Sequence, residues 1–247
     1  MWTVIKTAFH QLGSPPTFYW LAGKLIPWLA LVTAGLMSWG LYGGLALAPA
    51  DYQQGEGFRI IYVHVPSAWL SLFVYVTMAV AGMVALIWRM KVAEVWITGS
   101  APLGASFTFL ALVTGSLWGK PMWGTYWVWD ARLTSELVLL FLYFGIIALN
   151  AAIEDPRSAA RACALLAIVG VINIPIIHYS VEWWYTLHQG PILADPAKPS
   201  VHPDMLWPLL LMTLAFNFFY FTLVLVRMRT ELLERERSSR WVEDVLG

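Results

Sequence analysis

Read for apolar and polar positions, the chain falls into six long apolar runs: approximately Leu25 to Leu47, Val65 to Trp88, Val92 to Leu117, Leu133 to Ile153, Ala159 to Ile177 and Leu206 to Val226. Each approaches the roughly 20 residues that a helix needs to cross a hydrocarbon core. Helices are expected, because lipid offers no partner to an unpaired backbone N–H or C=O. The pattern predicts an all-α integral membrane protein with six transmembrane helices, a single domain over 1–247 with no internal repeat. Prolines refine it. Pro66, whose missing N–H costs little in a first turn, is expected to start the second helix just after His64, while Pro102 and Pro175 are interior and expected to kink their helices.

Composition agrees, with 59% hydrophobic and 12% charged residues and a mean hydropathy of +0.65. A water-soluble protein and a nucleic-acid binder are excluded, leaving the lipid bilayer as the surrounding partner. The net charge of zero hides an asymmetry. Lys6, Lys24, Arg89, Lys91, Arg157, Arg161, Arg227, Arg229, Arg235, Arg237 and Arg240 fall on one face, against Arg59, Lys120, Arg132 and Lys198 on the other. The richer face is expected to be cytoplasmic. Six crossings then put both termini in the cytoplasm of a multi-pass bacterial inner-membrane protein, with the other face in the periplasm. No cleavage site follows the first run, so it is expected to stay as a helix.

The connections differ by side. Turns at Arg89 to Lys91 and Glu154 to Arg157 are short and charged, whereas the periplasmic connections, about 48–64, 118–132 and 178–205, are long and aromatic. Loops of that length usually carry function. The third holds Pro191, Pro196, Pro199 and Pro203 and is expected to form an ordered cap. The charged tail, about 227–247, reads as a solvated cytoplasmic helix end.

Most of the candidate chemistry lies in LWGKPMWGTYWVWD, from Leu117 to Asp130. Tryptophan and tyrosine are ordinary at membrane interfaces, which accounts for Trp28, Trp88 and Trp207. Clustered with glycines, Trp118, Trp123, Tyr126, Trp127 and Trp129 read instead as a platform for a flat apolar ligand, with Asp130 capping the fourth helix. His64, in YVHVPSAW, and His188, in VEWWYTLHQG, are assigned to the same face. Two imidazoles on opposite sides of one porphyrin iron would make a bis-histidine haem site; singly, each also fits an interfacial histidine bonded to backbone. The haem propionates need cations, and Arg59 and Arg132 are the candidates. Snorkelling to headgroups is the alternative for Arg59, and an ion pair with Asp130 or Glu136 for Arg132.

His178 is expected to brace the third loop, and His202 is a substitute ligand; His10 is assigned to the far side. Glu136 and Glu182, the latter beside Trp183 and Trp184, are costly facing lipid and are expected to point inward. His178, Glu182, Trp183 and Trp184 are thus secondary site candidates. Cys163 reads as a small buried hydrophobe, and without a second cysteine or a CxxCH segment the chain forms neither an intrachain disulfide nor a thioether to haem. GSLWGKP, at Gly115 to Pro121, has glycine spacing one short of a phosphate loop and proline in place of Ser/Thr, so ATP binding is not expected. Nor is there a zinc motif, paired carboxylates or a nucleophile elbow to support hydrolysis.

The stretch WGTYWVWDARLTSE, Trp123 to Glu136, resembles the tryptophan-rich WWD signature of haem-handling proteins. HVPSAW and HYSVEWWYTLHQG narrow the resemblance to the haem exporter protein C family of bacterial cytochrome c maturation, over nearly the whole chain. The resemblance implies haem b bound transiently and non-covalently on the periplasmic face, between histidines matching His64 and His188. It further implies presentation to a membrane-tethered periplasmic haem chaperone, whose own histidine becomes attached at a vinyl group. A small single-helix membrane subunit assists, and an ABC-type ATPase with its membrane subunit drives release of the loaded chaperone. On this reading the chain supplies orientation rather than acid–base groups, so whether it is an enzyme is a matter of definition. Two alternatives remain: a haem lyase acting directly on apocytochrome c, which needs a larger chain, and a transmembrane haem permease, which needs a polar path where Asn173 is the clearest internal polar residue.

Overall fold

The computed structural model describes residue 11 and residues 13–188, 190 and 201–247. Lys6, His10, Lys198, Pro191, Pro196 and Pro199 lie outside the described residues, and with them the expected loop cap. Among the described residues, six helical spans are long and apolar enough to cross a membrane: Pro15–Leu47, Glu56–Trp88, Lys91–Trp123, Ala131–Ala152, Pro156–Trp183 and Pro203–Arg235. The elements are α1 (Pro15–Tyr42, continued by a π turn, Gly43–Leu47), a 3-10 turn (Glu56–Ile60), α2 (Ile61–Trp88), α3 (Lys91–Trp123), α4 (Ala131–Ala152), α5 (Pro156–Gly170), α6 (Asn173–Trp183), α7 (Pro203–Arg235) and α8 (Arg240–Leu246). Helix α2 packs most closely on α3, and α1 on α7, while α4 lies between α3 and α5. The core gathers where α2, α3, α4 and α7 meet, around Leu70, Tyr75, Ile97, Tyr143 and Tyr220. Helix α1 keeps Trp20, Trp28, Leu31 and Trp39 exposed, as a helix facing lipid would.

Several ends differ from the apolar runs. Helix α2 begins at Ile61 rather than after His64, because a 3-10 turn leads into it and Ile61 and Tyr62 are buried. Pro66 therefore sits inside the helix and His64 in its first turn. Helix α3 runs unbroken through Pro102 and on to Trp123, six residues past the apolar run, so only 124–130 of the tryptophan segment is loop. Gly124 stops it with φ 77°, a left-handed conformation that suits glycine, and donates to the Lys120 carbonyl at 3.0 Å. The fifth crossing breaks at Val171–Ile172, between α5 and α6. Pro175 explains the position, since its ring clashes with the carbonyl four residues earlier, Val171, and offers no N–H to it. Pro203, expected within the third loop, occupies the first turn of α7 instead.

The tail is not the solvated end expected. Helix α7 continues to Arg235, Met228, Leu232 and Val242 are fully buried, and Trp241 of α8 packs 5.5 Å from Tyr19. Ion pairs hold it down: Arg235 reaches Glu94 at 3.4 Å and Glu231 at 2.8 Å, and Lys91 pairs with Glu236. The Arg229 guanidinium lies 4.2 Å from the Tyr19 ring. Asp155 caps α5 by accepting from the Ser158 N–H at 2.9 Å, and the Ser158 hydroxyl holds its carboxyl below the usual carboxylate range.

Buried polar side chains are more numerous than Asn173 alone. Most turn back on their own helix: Ser67 donates to the Val63 carbonyl, Thr108 to Gly104 and Ser180 to Ile177. Asn173 spends its amide on the Ser135 carbonyl at 2.9 Å. These groups are satisfied in this way, and the Asn173 bond also ties α6 to α4.

Candidate functional site

The end of the bundle bearing the 124–130 loop holds a cavity of about 730 Å³ of empty space, part of it open to the outside. Its walls come from α2 (His64, Ala68), α3 (Ala111 to Trp123) and α4 (Arg132, Leu133, Glu136), with Gln54 and His188 closing it from two connections.

His64 is buried in the first turn of α2, 8% exposed. Its Nδ1 lies 3.0 Å from the Thr114 hydroxyl, and Trp118, one turn further along α3, packs edge-on against it at 5.6 Å between ring centres. The Trp118 indole N–H donates to the Gln54 side-chain oxygen at 2.7 Å, and Phe58 packs on the same indole. His188, five residues past the end of α6, brings its ring to 6.3 Å from that of His64, with the planes 35° apart. Trp123 flanks His188 at 6.4 Å. Two histidines 124 residues apart in the chain thus face one cavity, each with a tryptophan beside it.

The remaining candidates separate. Arg132 lines the cavity and donates to the Ile177 carbonyl at 2.9 Å, without an ion pair to Asp130 or Glu136. Arg59 is held elsewhere, bonded to Glu56 and to the Gly44 carbonyl left over at the π turn, so it neither snorkels nor lines the cavity. Asp130 caps α4 by accepting from the Leu133 N–H at 2.8 Å, which sets the helix that carries Arg132 and Glu136. Trp127 and Trp129 pack on each other at 5.4 Å, Lys120 lies 5.3 Å from the Tyr126 ring, and none of the three aromatics lines the cavity.

Glu182 is exposed rather than inward, since it sits in the last turn of α6 where water or headgroups can reach it. Trp183 and Trp184 are exposed beside it. His178, exposed, packs on Tyr179 at 4.7 Å. His202 caps α7 by accepting from the Asp204 N–H at 3.2 Å, a structural duty in place of a ligand's.

Glu136 does point inward: it is 8% exposed, lines the cavity and leaves its Oε1 without a partner. Such a group in a low-dielectric wall is costly unless something polar approaches it. Sequence reasoning missed Gln54, Thr114 and Gly115. The signal for the last two was their spacing from Trp118, four and three residues away and therefore on one helical face. In chemical terms the cavity offers two imidazoles, a guanidinium with unused donors, a carboxyl group and an aromatic wall.

The family model described as heme exporter protein C matches residues 8–243. Heme exporter protein C of Escherichia coli is 51% identical over 246 residues, spanning 100% of this chain and 98% of that one. The Haemophilus influenzae protein of the same name is 52% identical over 234 residues, 95% of each chain. That of Bradyrhizobium diazoefficiens is 51% identical over 229 residues, 93% of this chain and 87% of its own.

Proposed function

This chain belongs to the heme exporter protein C family, and on that premise we propose that it holds haem b, transiently and non-covalently, and presents it to a periplasmic haem chaperone. The observation that carries the reading is the facing pair His64 and His188. A metal–imidazole bond of about 2.0–2.1 Å, plus about 1.1 Å from nitrogen to ring centre, puts two opposed ligand rings about 6.2–6.4 Å apart. The separation of these rings is 6.3 Å. Trp118 and Trp123 supply the aromatic wall. Arg132 spends one of its five N–H donors on Ile177 and keeps others for a propionate, a role for which Arg59 is out of place.

The cargo supplies its own iron and porphyrin; the chain's part is to hold, orient and release it. His64 and His188 fix the iron, the indoles exclude water from the ring, and Arg132 anchors a carboxylate. Orientation follows from charge: the ten described cations of the richer set, from Lys24 to Arg240, belong to the end opposite the cavity and face the cytoplasm of the inner membrane. The cavity then opens to the periplasm, where a chaperone can reach it. A small single-helix subunit and an ABC-type ATPase with its membrane subunit complete the assembly and drive release.

The test is the absorption spectrum of detergent-purified, haem-loaded protein. A low-spin bis-histidine spectrum is expected, lost or converted in His64→Ala and in His188→Ala, and transfer of haem is expected on adding the chaperone. Wild-type spectra in both variants would remove the assignment.

A further inference from the structure

We propose that Thr114 is a positioning residue for His64: it sets which imidazole nitrogen carries hydrogen and so presents Nε2, bare, to the cavity. The inference rests on the ligand reading above for its purpose, but not for its evidence. The Thr114 hydroxyl has a single hydrogen. Its oxygen lies 2.6 Å from the Leu110 carbonyl, 3.3 Å from the Ala111 carbonyl and 3.0 Å from His64 Nδ1. A carbonyl can only accept, so the short contact to Leu110 takes the hydroxyl hydrogen. What remains towards His64 is a lone pair. Nδ1 must then be the donor, and a neutral imidazole with hydrogen on Nδ1 has none on Nε2.

The neighbouring residues hold the ring in that pose. A Cβ at Gly115 would stand 3.0 Å from His64 Cε1 and 3.6 Å from Nδ1, but 4.0 Å from Nε2. The Nδ1–Cε1 edge therefore rests on the bare backbone of α3, with Nε2 the nitrogen further from it. Trp118 closes another side edge-on. Turning the ring over would put a carbon where Thr114 now accepts a hydrogen bond. One turn of α3 thus supplies an acceptor, a space and a wall.

The kind of acceptor matters. Ligating histidines commonly donate to a carboxylate or a carbonyl, which raises the donor strength of the ligating nitrogen. A neutral hydroxyl raises it less than a carboxylate would. That suits a cargo that must be handed on: Nε2 is aimed by Thr114 without becoming a ligand too strong to let go.

The decisive measurement needs no haem. In haem-free, ¹⁵N-histidine-labelled protein, assigned by difference against His64→Ala, the His64 nitrogens should report hydrogen on Nδ1 and none on Nε2. Thr114→Ser should keep this signature and Thr114→Val should lose it, giving mixed tautomers. In haem-loaded protein, Thr114→Val should move the reduction potential to more positive values, because Nε2 loses its backing, while Thr114→Ser stays at the wild-type value. Hydrogen on Nε2 in the wild-type protein, or a Thr114→Val variant identical to Thr114→Ser, overturns the inference. Should Thr114→Val fail to fold, the wild-type tautomer still decides. The haem spectrum of His64→Ala separates the two ideas: if it matches wild type, the ligand reading falls while the tautomer result stands by itself.

Discussion

Gly104 of α3 lies where Tyr143 of α4 crosses it, and Gly104→Ala should destabilise the bundle. A Cβ at that position would fall well inside contact distance of Cε1, Cζ and Oη of the Tyr143 ring. The ring has little freedom to move: it is fully buried, its hydroxyl donates to the Ser71 carbonyl at 2.7 Å, and Tyr75 packs against it edge-on at 5.1 Å. Overpacking a close-packed interior costs about 1–3 kcal/mol, and loosening the Tyr143 hydrogen bond about 1 kcal/mol. Against this, replacing a helical glycine by alanine gains about 0.8–1.0 kcal/mol. The net expectation is a loss of about 1–3 kcal/mol. Unfolding in mixed detergent micelles measures it, and a second background identifies the cause. In Tyr143→Ala, where the obstructing ring is gone, Gly104→Ala should be neutral or mildly stabilising. Equal cost in both backgrounds, or no cost in the native one, would refute the argument.

Two further outcomes can be checked by the same unfolding measurement. Asp130→Ala removes the cap of α4 and should cost about 1 kcal/mol, while Asp130→Asn, which can still accept from the Leu133 N–H, should retain most of the stability. Arg235→Met leaves Glu94 and Glu231 without their shared, partly buried cation and should cost about 1–2 kcal/mol. At the end of the bundle opposite the cavity, it should leave the haem spectrum unchanged.

Hydropathy made the six spans readable, because lipid enforces long apolar runs whatever the packing between them. Their ends were harder to read. The run ending at Leu117 stopped short because tryptophan, glycine, lysine and proline dilute the hydropathy of 118–123, although Gly124 marked the true stop. The break in the fifth crossing was readable from Pro175 as a kink but not as two helices. His64 and His188 could be assigned to one end of the bundle by counting crossings, yet a count of crossings holds no information on lateral distance, and the 6.3 Å between them needed the packing of α2, α3 and α4. Arg59 shows a related limit: its sequence distance from His64 held no information on its direction, which is set by a carbonyl of another helix. The tail misled because its charges dominate the pattern, while the apolar positions Leu232 and Val242 that dock it are sparse.

His64 and His188 are mounted very differently. The first lies within a helix and is seated against another; the second lies five residues past the end of α6, whose last turn closes with the Trp184 N–H donating to the Ser180 carbonyl at 3.1 Å. The pair is therefore assembled from a membrane-spanning helix and a connection, so a change in α2 and a change in the chain after α6 both reach the same cavity.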